Sequence, residues 1–482
     1  MSKTIVIIGA GLAGLSAALQ AAENGCNVKL VSSLPSERAQ SVMAEGGINA
    51  ALNTKDENDS PEEHFTDTIK AACGLADPNA VWGMTQAAPE LVHWLLKLGV
   101  KFNMSGYDDV DLRNFGGQKK KRTAFAQSDT GKQIMTAMID AVRRKEASGM
   151  VERFSHHSFL TLRLCGNICC GCVIRDEYSQ ETVELPGDAV IVATGGMHGL
   201  FGNTTGSLSN TGEVTAELFR LGVPLANGEM IQYHPTTVKC GGKRLLISEA
   251  ARGEGGRLFA MKDGKQWYFM EEKYPELGNL MPRDITAREI WKVSHESEVF
   301  LDMTEISEEI ISNKLSGLAD DCMTYLHKDI RKEPVSVLPG IHYFMGGILV
   351  DEQHRTPIQN LCAAGECCAQ YHGANRLGGN SLLGALYGGR VAAKSACEQA
   401  DVVDLSCATQ IDFPPASQIS EIKQLNKVMQ ETMGVVRNEN TLLNGIQTVQ
   451  ALTGNLPLLG MAVLKSACLL YTSPSPRDLS TS

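Results

Sequence analysis

Long apolar runs and basic stretches are both scarce in this sequence. No apolar stretch reaches the ~18 residues that a membrane-crossing helix needs, so none is expected. The N-terminal MSKTIVIIGAG runs straight into a strand and a glycine turn and leaves no room for a signal peptide. The expected location is therefore the cytoplasm, free or peripheral on the cytoplasmic face of the inner membrane. Positive charge is in deficit, with 44 Lys and Arg against 55 Asp and Glu, a formal net charge of -11. That balance argues against a nucleic-acid partner. The one basic run, Lys119-Lys120-Lys121-Arg122, reads as a solvated turn and not as a polyanion site. A disulfide framework is also not expected, although the chain has 14 cysteines; an intracellular chain of this size keeps its thiols reduced. The cluster CGNICCGC, with Cys165, Cys169, Cys170 and Cys172, suggests a metal at first sight. Neighbouring cysteines on a strand point to opposite faces, and Gly166-Asn167 reads as a hairpin turn, so these are taken as small hydrophobes and no metal is expected.

What is present in abundance is glycine, 47 residues of 482, in a chain too long for one core and expected to form two or three domains. TIVII, LAGLSAALQAAENG and NVKLV read as strand, helix and strand, with Gly25 ending the helix. Two helices follow between residues 61 and 100, the second interrupted near Pro89, and DTGKQIMTAMIDAVRRKEASG is a further helix. DAVIVATGG is a buried strand. Between 226 and 340 charge and aromatic content rise, as expected of an inserted α+β domain. After Gly346 the glycine-rich pattern resumes. The fold expected is α/β: a Rossmann-like domain discontinuous in sequence (1–225 and 341–410), the insert (226–340), and the start of a helical domain (416–468). LLYTSPSPRDLSTS has no helical period and looks like a translated adapter tail, so 469–482 is expected to carry no structure and the natural chain to continue past about 468.

Gly9-Ala10-Gly11-Leu12-Ala13-Gly14 follows a strand and opens a helix. Glycines there let the backbone approach a pyrophosphate, and the helix N-terminus holds its charge. The acid usual at the end of the second strand is replaced by Ser32 and Ser33, which bond a ribose or an adenine edge more weakly. This turn alone does not separate NAD from FAD. Three later features favour FAD: Ala193-Thr194-Gly195 at the end of a buried strand, Glu366 in AAGE, and the helix start Asn380-Ser381-Leu382-Leu383. The amides of that helix start would face a flavin carbonyl, where charge builds on reduction.

The motifs GAGLAG, AEGG, RTAFAQSDTG, ATGG, QYHPT, SEAARGEGG, MPRD, HYFMGG, AAGE and HGANRLGGNSL occur in this order from residue 5 to about 395. Together they resemble the flavoprotein subunits of fumarate reductase and succinate dehydrogenase, a family that includes L-aspartate oxidase. The resemblance implies FAD on the Rossmann-like domain, with Gln40, Ser41, Ala44, Glu45, Gly46, Gly47 and Glu213 among its contacts, and a capping domain that closes over a dicarboxylate. It implies that His342 and Arg376 clamp one carboxylate, and that His234 and Ser248 hold and twist the other. Arg283 would protonate the substrate carbon opposite the flavin, supplied through Glu249 and Arg252. An arginine is a poor acid in water, so that role requires burial and a proton supply. The family precedent for a partner is an iron-sulfur subunit that docks to a quinone-linked membrane anchor.

Two departures narrow the reading. The stretch AQSVMAEGGINAAL has no histidine, and Gln40 stands where membrane-complex members carry the histidine that bonds the flavin covalently. FAD is therefore expected to be held without a covalent bond, which favours fumarate reduction over succinate oxidation. Phe115, in RNFGGQKKKRTAFAQ, stands where L-aspartate oxidases carry a glutamate for the substrate ammonium. An apolar ring there would leave a buried ammonium unpaired. Glu213 replaces the family's usual aspartate, and Ser248 its frequent threonine, with the functional atoms retained. The expectation is an FAD-dependent fumarate reductase, with succinate dehydrogenase or L-aspartate oxidase as alternatives. A non-catalytic flavoprotein role fits poorly with so many convergent polar groups.

Overall fold

The structure, a computed structural model, describes residues 2–106, 109–399, 413 and 418–472. Five parallel strands form its central sheet in the order Leu361–Ala363, Ala189–Val192, Thr4–Ile8, Asn27–Ser32 and Val151–Ser155. The strands Thr4–Ile8 and Ala189–Val192 are apolar without alternation because helices and a second sheet cover both faces. The helix Leu12–Glu23 returns from the first strand and is buried along almost its whole length, with Gly25 at φ +80° just beyond its end. Its small residues let the helix Asn380–Gln399 come close. Ser16 Oγ donates to the Leu386 carbonyl at 2.7 Å, and a Cβ on Gly389 would strike the Ala13 carbonyl.

The segment after residue 224 leaves and rejoins this core through adjacent strands, Leu225–Ala226 and Gly347–Leu349. Between them lie two antiparallel sheets, one built on Ile231–Cys240 and Leu338–Phe344, the other on Arg257–Lys262 and Val299–Asp302. The boundary expected at residue 340 thus falls inside a strand. Helices Ile419–Thr432, Glu439–Gln450 and Asn455–Thr472 pack their apolar faces on Phe201, Ala216 and Phe344.

Four expectations need correction. The helix Pro78–Leu98 is continuous through Pro89; Met84, Ala88, Leu91, Val92 and Leu95 are buried on both sides of the proline and hold the register despite the lost hydrogen bond. Arg122 is not solvated. It is fully buried, its Nη2 lying 2.8 Å from Asp59 and 3.0 Å from Asp67, because helix Pro61–Ala71 brings Asp67 to it. The last helix includes residues 469–472, so part of the segment expected to be unstructured is helical; residues 473–482 lie outside the described ones. Cys165, which ends the strand His157–Cys165, is disulfide-bonded. Its hairpin partners Cys169, Cys170 and Cys172 are buried free thiols. Among the described residues no helix is long and apolar enough to cross a membrane.

Candidate active site

A cavity of about 1000 Å³ runs along the C-terminal ends of the parallel strands and under the antiparallel sheet of Ile231–Cys240. One half is shaped for a dinucleotide. Gly9 turns with φ +109°, and a Cβ there would strike the Ala193 carbonyl, so this crossing of two strands requires glycine. Gly11 and Ala13 open onto the cavity, whereas Gly14 packs against the backbone of Gly9 and does not reach it. Ser32 Oγ is buried at the rim with no protein partner, as a ribose-binding hydroxyl would be. Gln40, Ser41 and Glu45 line the wall, Ser41 Oγ accepting from the Leu12 amide at 3.3 Å. Glu213 lines it too, its carboxyl pushed up by burial and then by Glu217. Glu366 accepts from the Phe344 amide at 3.1 Å beside His198.

Ser381 and Leu382 face the cavity, but Asn380 and Leu383 do not. Asn380 is buried behind it. Its Oδ1 accepts from Asn49 at 2.7 Å and lies 2.9 Å from His64 Nε2, while its Nδ2 donates to Thr68 at 3.0 Å. Burial, followed by the charge of Arg122, holds His64 neutral with a pKa lowered to about 3. Asn380 therefore fixes the start of its helix, and the helix presents its next residues. The geometry fits FAD: a glycine-lined loop at one helix start, the unpaired Ser32 hydroxyl on the wall, and a second helix start at the far end.

Burial raises the Glu45 carboxyl to about 8, with Asp321 adding to the shift and Arg113 opposing it. The folded chain then holds one more proton than the unfolded chain from the ordinary carboxylate value up to about pH 8. Stability contributed here is present at low pH and lost as pH rises through that window, by up to ~1.4 kcal/mol per pH unit. Glu45→Gln is expected to flatten this part of the curve in thermal denaturation at a series of pH values; an unchanged slope would disprove the assignment.

The other half of the cavity gathers cations and imidazoles. Gln232 and His234 are two apart on one strand and share a face. On the partner strand, Gln232 pairs with Tyr343 and Tyr233 with Ile341, so His342 is the extra residue of a bulge. The bulge turns it toward His234, ring centroids 5.1 Å apart. Burial, reinforced by Arg283, keeps both imidazoles neutral. Ser248 caps the short helix that carries Glu249 and Arg252.

Arg283, first residue of helix Arg283–Val293, donates to Glu249 Oε2 through Nε at 2.7 Å and through Nη1 to Gln232 Oε1 at 2.9 Å. Arg376 Nη2 donates to the same Gln232 oxygen at 3.0 Å, and its guanidinium lies 4.1 Å over the Tyr343 ring. Glu249 also accepts from the Gly116 amide at 3.0 Å and lies 3.3 Å from Arg252. Burial works against its charge, but Arg283 and Arg252 outweigh that and hold the carboxyl below its ordinary value. Arg252 sits behind the others, off the cavity wall. Phe115 forms an apolar wall beside Gly46.

Gln232 and Tyr343 carry no charge to mark them in a sequence. The period-2 spacing of Gln232 to His234 within QYHPT was the available signal. Asn455, which lines the cavity and donates to Glu217 at 2.9 Å, had none.

A parallel sheet with this glycine crossing and this cavity defines an FAD-dependent oxidoreductase. Residues 4–382 match the FAD binding domain family. The chain is 43% identical over 413 residues to the succinate dehydrogenase flavoprotein subunit of Bacillus subtilis, covering 84% of this chain and 70% of that one. It is 32% identical to the 8-methylmenaquinol:fumarate reductase flavoprotein subunit of Wolinella succinogenes, across 92% and 76% of the two chains. Among solved structures, a variant of the E. coli quinol fumarate reductase FrdA superimposes with a TM-score of 0.85 at 27% identity, over 97% of this chain and 87% of the other. The chain belongs to the succinate dehydrogenase and fumarate reductase flavoprotein family.

Proposed function

We propose that the protein reduces fumarate to succinate, with FAD held non-covalently. The arrangement around Arg283 carries this reading: a buried guanidinium on the cavity wall, tied to a carboxylate behind it and flanked by two neutral imidazoles and a second arginine. When bound, FAD supplies the hydride. His342 and Arg376 orient one carboxylate, His234 and Ser248 the other. Arg283 gives a proton to the second alkene carbon, and Glu249, hydrogen-bonded to its Nε and paired with Arg252, relays a proton taken from Arg252 back to it. Microscopic reversibility lets the same residues serve succinate oxidation; Gln40, an amide where the covalent link would need an imidazole, favours the reductive direction. Relatives named as flavoprotein subunits support an iron-sulfur partner, joined to a quinone-linked membrane anchor, as the electron source.

The ring of Phe115, buried on the cavity wall, argues against an ammonium substrate. The expected result is fumarate-dependent oxidation of dithionite-reduced viologen by the FAD-loaded protein, with no oxidation of L-aspartate. Aspartate turnover without fumarate turnover would replace this reading by the oxidase.

A further inference from the structure

Two consecutive threonines, Thr204 and Thr205, each address the Nδ1 atom of a histidine. Thr204 Oγ1 lies 3.1 Å from His198 Nδ1, and the far side of that ring, Nε2, faces the Glu366 carboxylate at 3.6 Å. A carboxylate only accepts, so His198 carries its hydrogen on Nε2 and its Nδ1 accepts from the threonine hydroxyl. Thr205 repeats the arrangement on the cavity wall. Its Oγ1 lies 2.8 Å from His342 Nδ1, and its amide donates to the Ile341 carbonyl at 3.0 Å. Backbone and side chain thus grip the bulge at two adjacent residues. Among the described residues the remaining ring nitrogen of His342 has no hydrogen-bond partner, and the residue lines the cavity.

We propose that Thr205 is a positioning residue that holds His342 as the Nε2–H tautomer, so that a neutral imidazole donates to a substrate carboxylate. The inference rests on the fumarate reading. A neutral ring has one N–H to give, and a dicarboxylate can only accept. With Nδ1 against the Thr205 hydroxyl, donation into the cavity requires the ring hydrogen on Nε2 and the Thr205 O–H donating to Nδ1. A backbone carbonyl at the place of Oγ1 would draw the hydrogen to Nδ1 and turn a lone pair toward the substrate. The groups that act on the ring from neighbouring elements are Arg283, Arg376, His198 and His234. Two of these are cations, so charging His342 is not an alternative route to a donor.

Thr205→Val keeps the shape and the backbone bond but removes the hydroxyl. In the FAD-loaded protein it is expected to raise KM for fumarate about tenfold and to change kcat by less than ~3-fold, with Thr205→Ser restoring KM. A purely structural role would lower FAD content or kcat as well, and serine would not rescue it. Nitrogen NMR of histidine-labelled wild type, with His342→Gln used only to assign the resonance, is expected to show the hydrogen on Nε2. An unchanged KM in Thr205→Val, or the hydrogen on Nδ1 in the wild type, overturns the proposal. The NMR result decides the matter even if the valine variant does not fold. Absence of fumarate turnover in the wild type would instead refute the functional reading, while the tautomer would still report on Thr205.

Discussion

Arg283→Ala is expected to lower kcat for fumarate by ~10³-fold or more while FAD content is retained, measured with reduced viologen and by flavin absorbance. General acids contribute ~10²–10⁴-fold, and Arg283 is a cavity cation hydrogen-bonded to a buried carboxylate through which its proton can be relayed. The substitution also strips Glu249 of its closest cation, leaving Arg252 at 3.3 Å and the Gly116 amide at 3.0 Å. Removing one partner of a buried pair costs ~3–5 kcal/mol, here reduced by those two contacts. The pH dependence of that loss has a definite sign. Glu249 has a folded pKa held below the ordinary 4.5, so the pair stabilises above that value, and its contribution disappears as pH falls through the lower, folded one. Stability curves of wild type and variant should converge at acid pH. Arg283→Lys keeps a charge but replaces a planar fork by a single ammonium that cannot bond Glu249 and Gln232 in the same geometry, so it should recover only part of the rate. Turnover within ~10-fold of wild type in Arg283→Ala would remove this arginine from the acid role.

The second large effect concerns the cofactor. Acid or detergent denaturation is expected to release all of the FAD into the supernatant. Gln40 lies on the cavity wall in the short turn Gln40–Met43, and its amide nitrogen, with the lone pair delocalised into the carbonyl, is too weak a nucleophile to form a bond to the flavin ring. Flavin fluorescence remaining with the precipitated chain would show that another side chain makes the link. Gln40→His then asks whether the pocket is otherwise competent for covalent attachment. If it is, part of the flavin should stay with the chain and succinate oxidation should rise relative to fumarate reduction.

The cofactor loop was legible because its constraint is local. The positive φ at Gly9 follows from a strand turning into a helix within six residues, whereas the Ala193 carbonyl that also excludes a Cβ there arrives from a distant strand. The polar residues of the cavity's other half were legible only as motifs. His234, His342, Arg283 and Arg376 lie on separate elements, and nothing within any one motif states that they converge. Asn380 and Leu383, expected with Ser381 and Leu382 at the cofactor, do not line the cavity, because a helix start exposes some residues to it and buries others, and helical phase relative to a distant wall is not written locally. Arg122 reads as the end of a lysine run until Asp59 and Asp67 arrive from another segment. Pro89 reads as a break until the packing on either side of it is known.

By itself, then, the sequence determined the parallel α/β core, the dinucleotide loop and the polar motifs whose side chains line the cavity, since each depends on short-range periodicity, backbone torsion or side-chain chemistry. The tertiary structure alone decided that one glutamine oxygen is shared by two arginines, that a bulge swings His342 beside His234, and that a threonine stands behind that ring. Those are relations between residues far apart in the chain, set by strand register and the closing of one layer on another, and no local pattern encodes them.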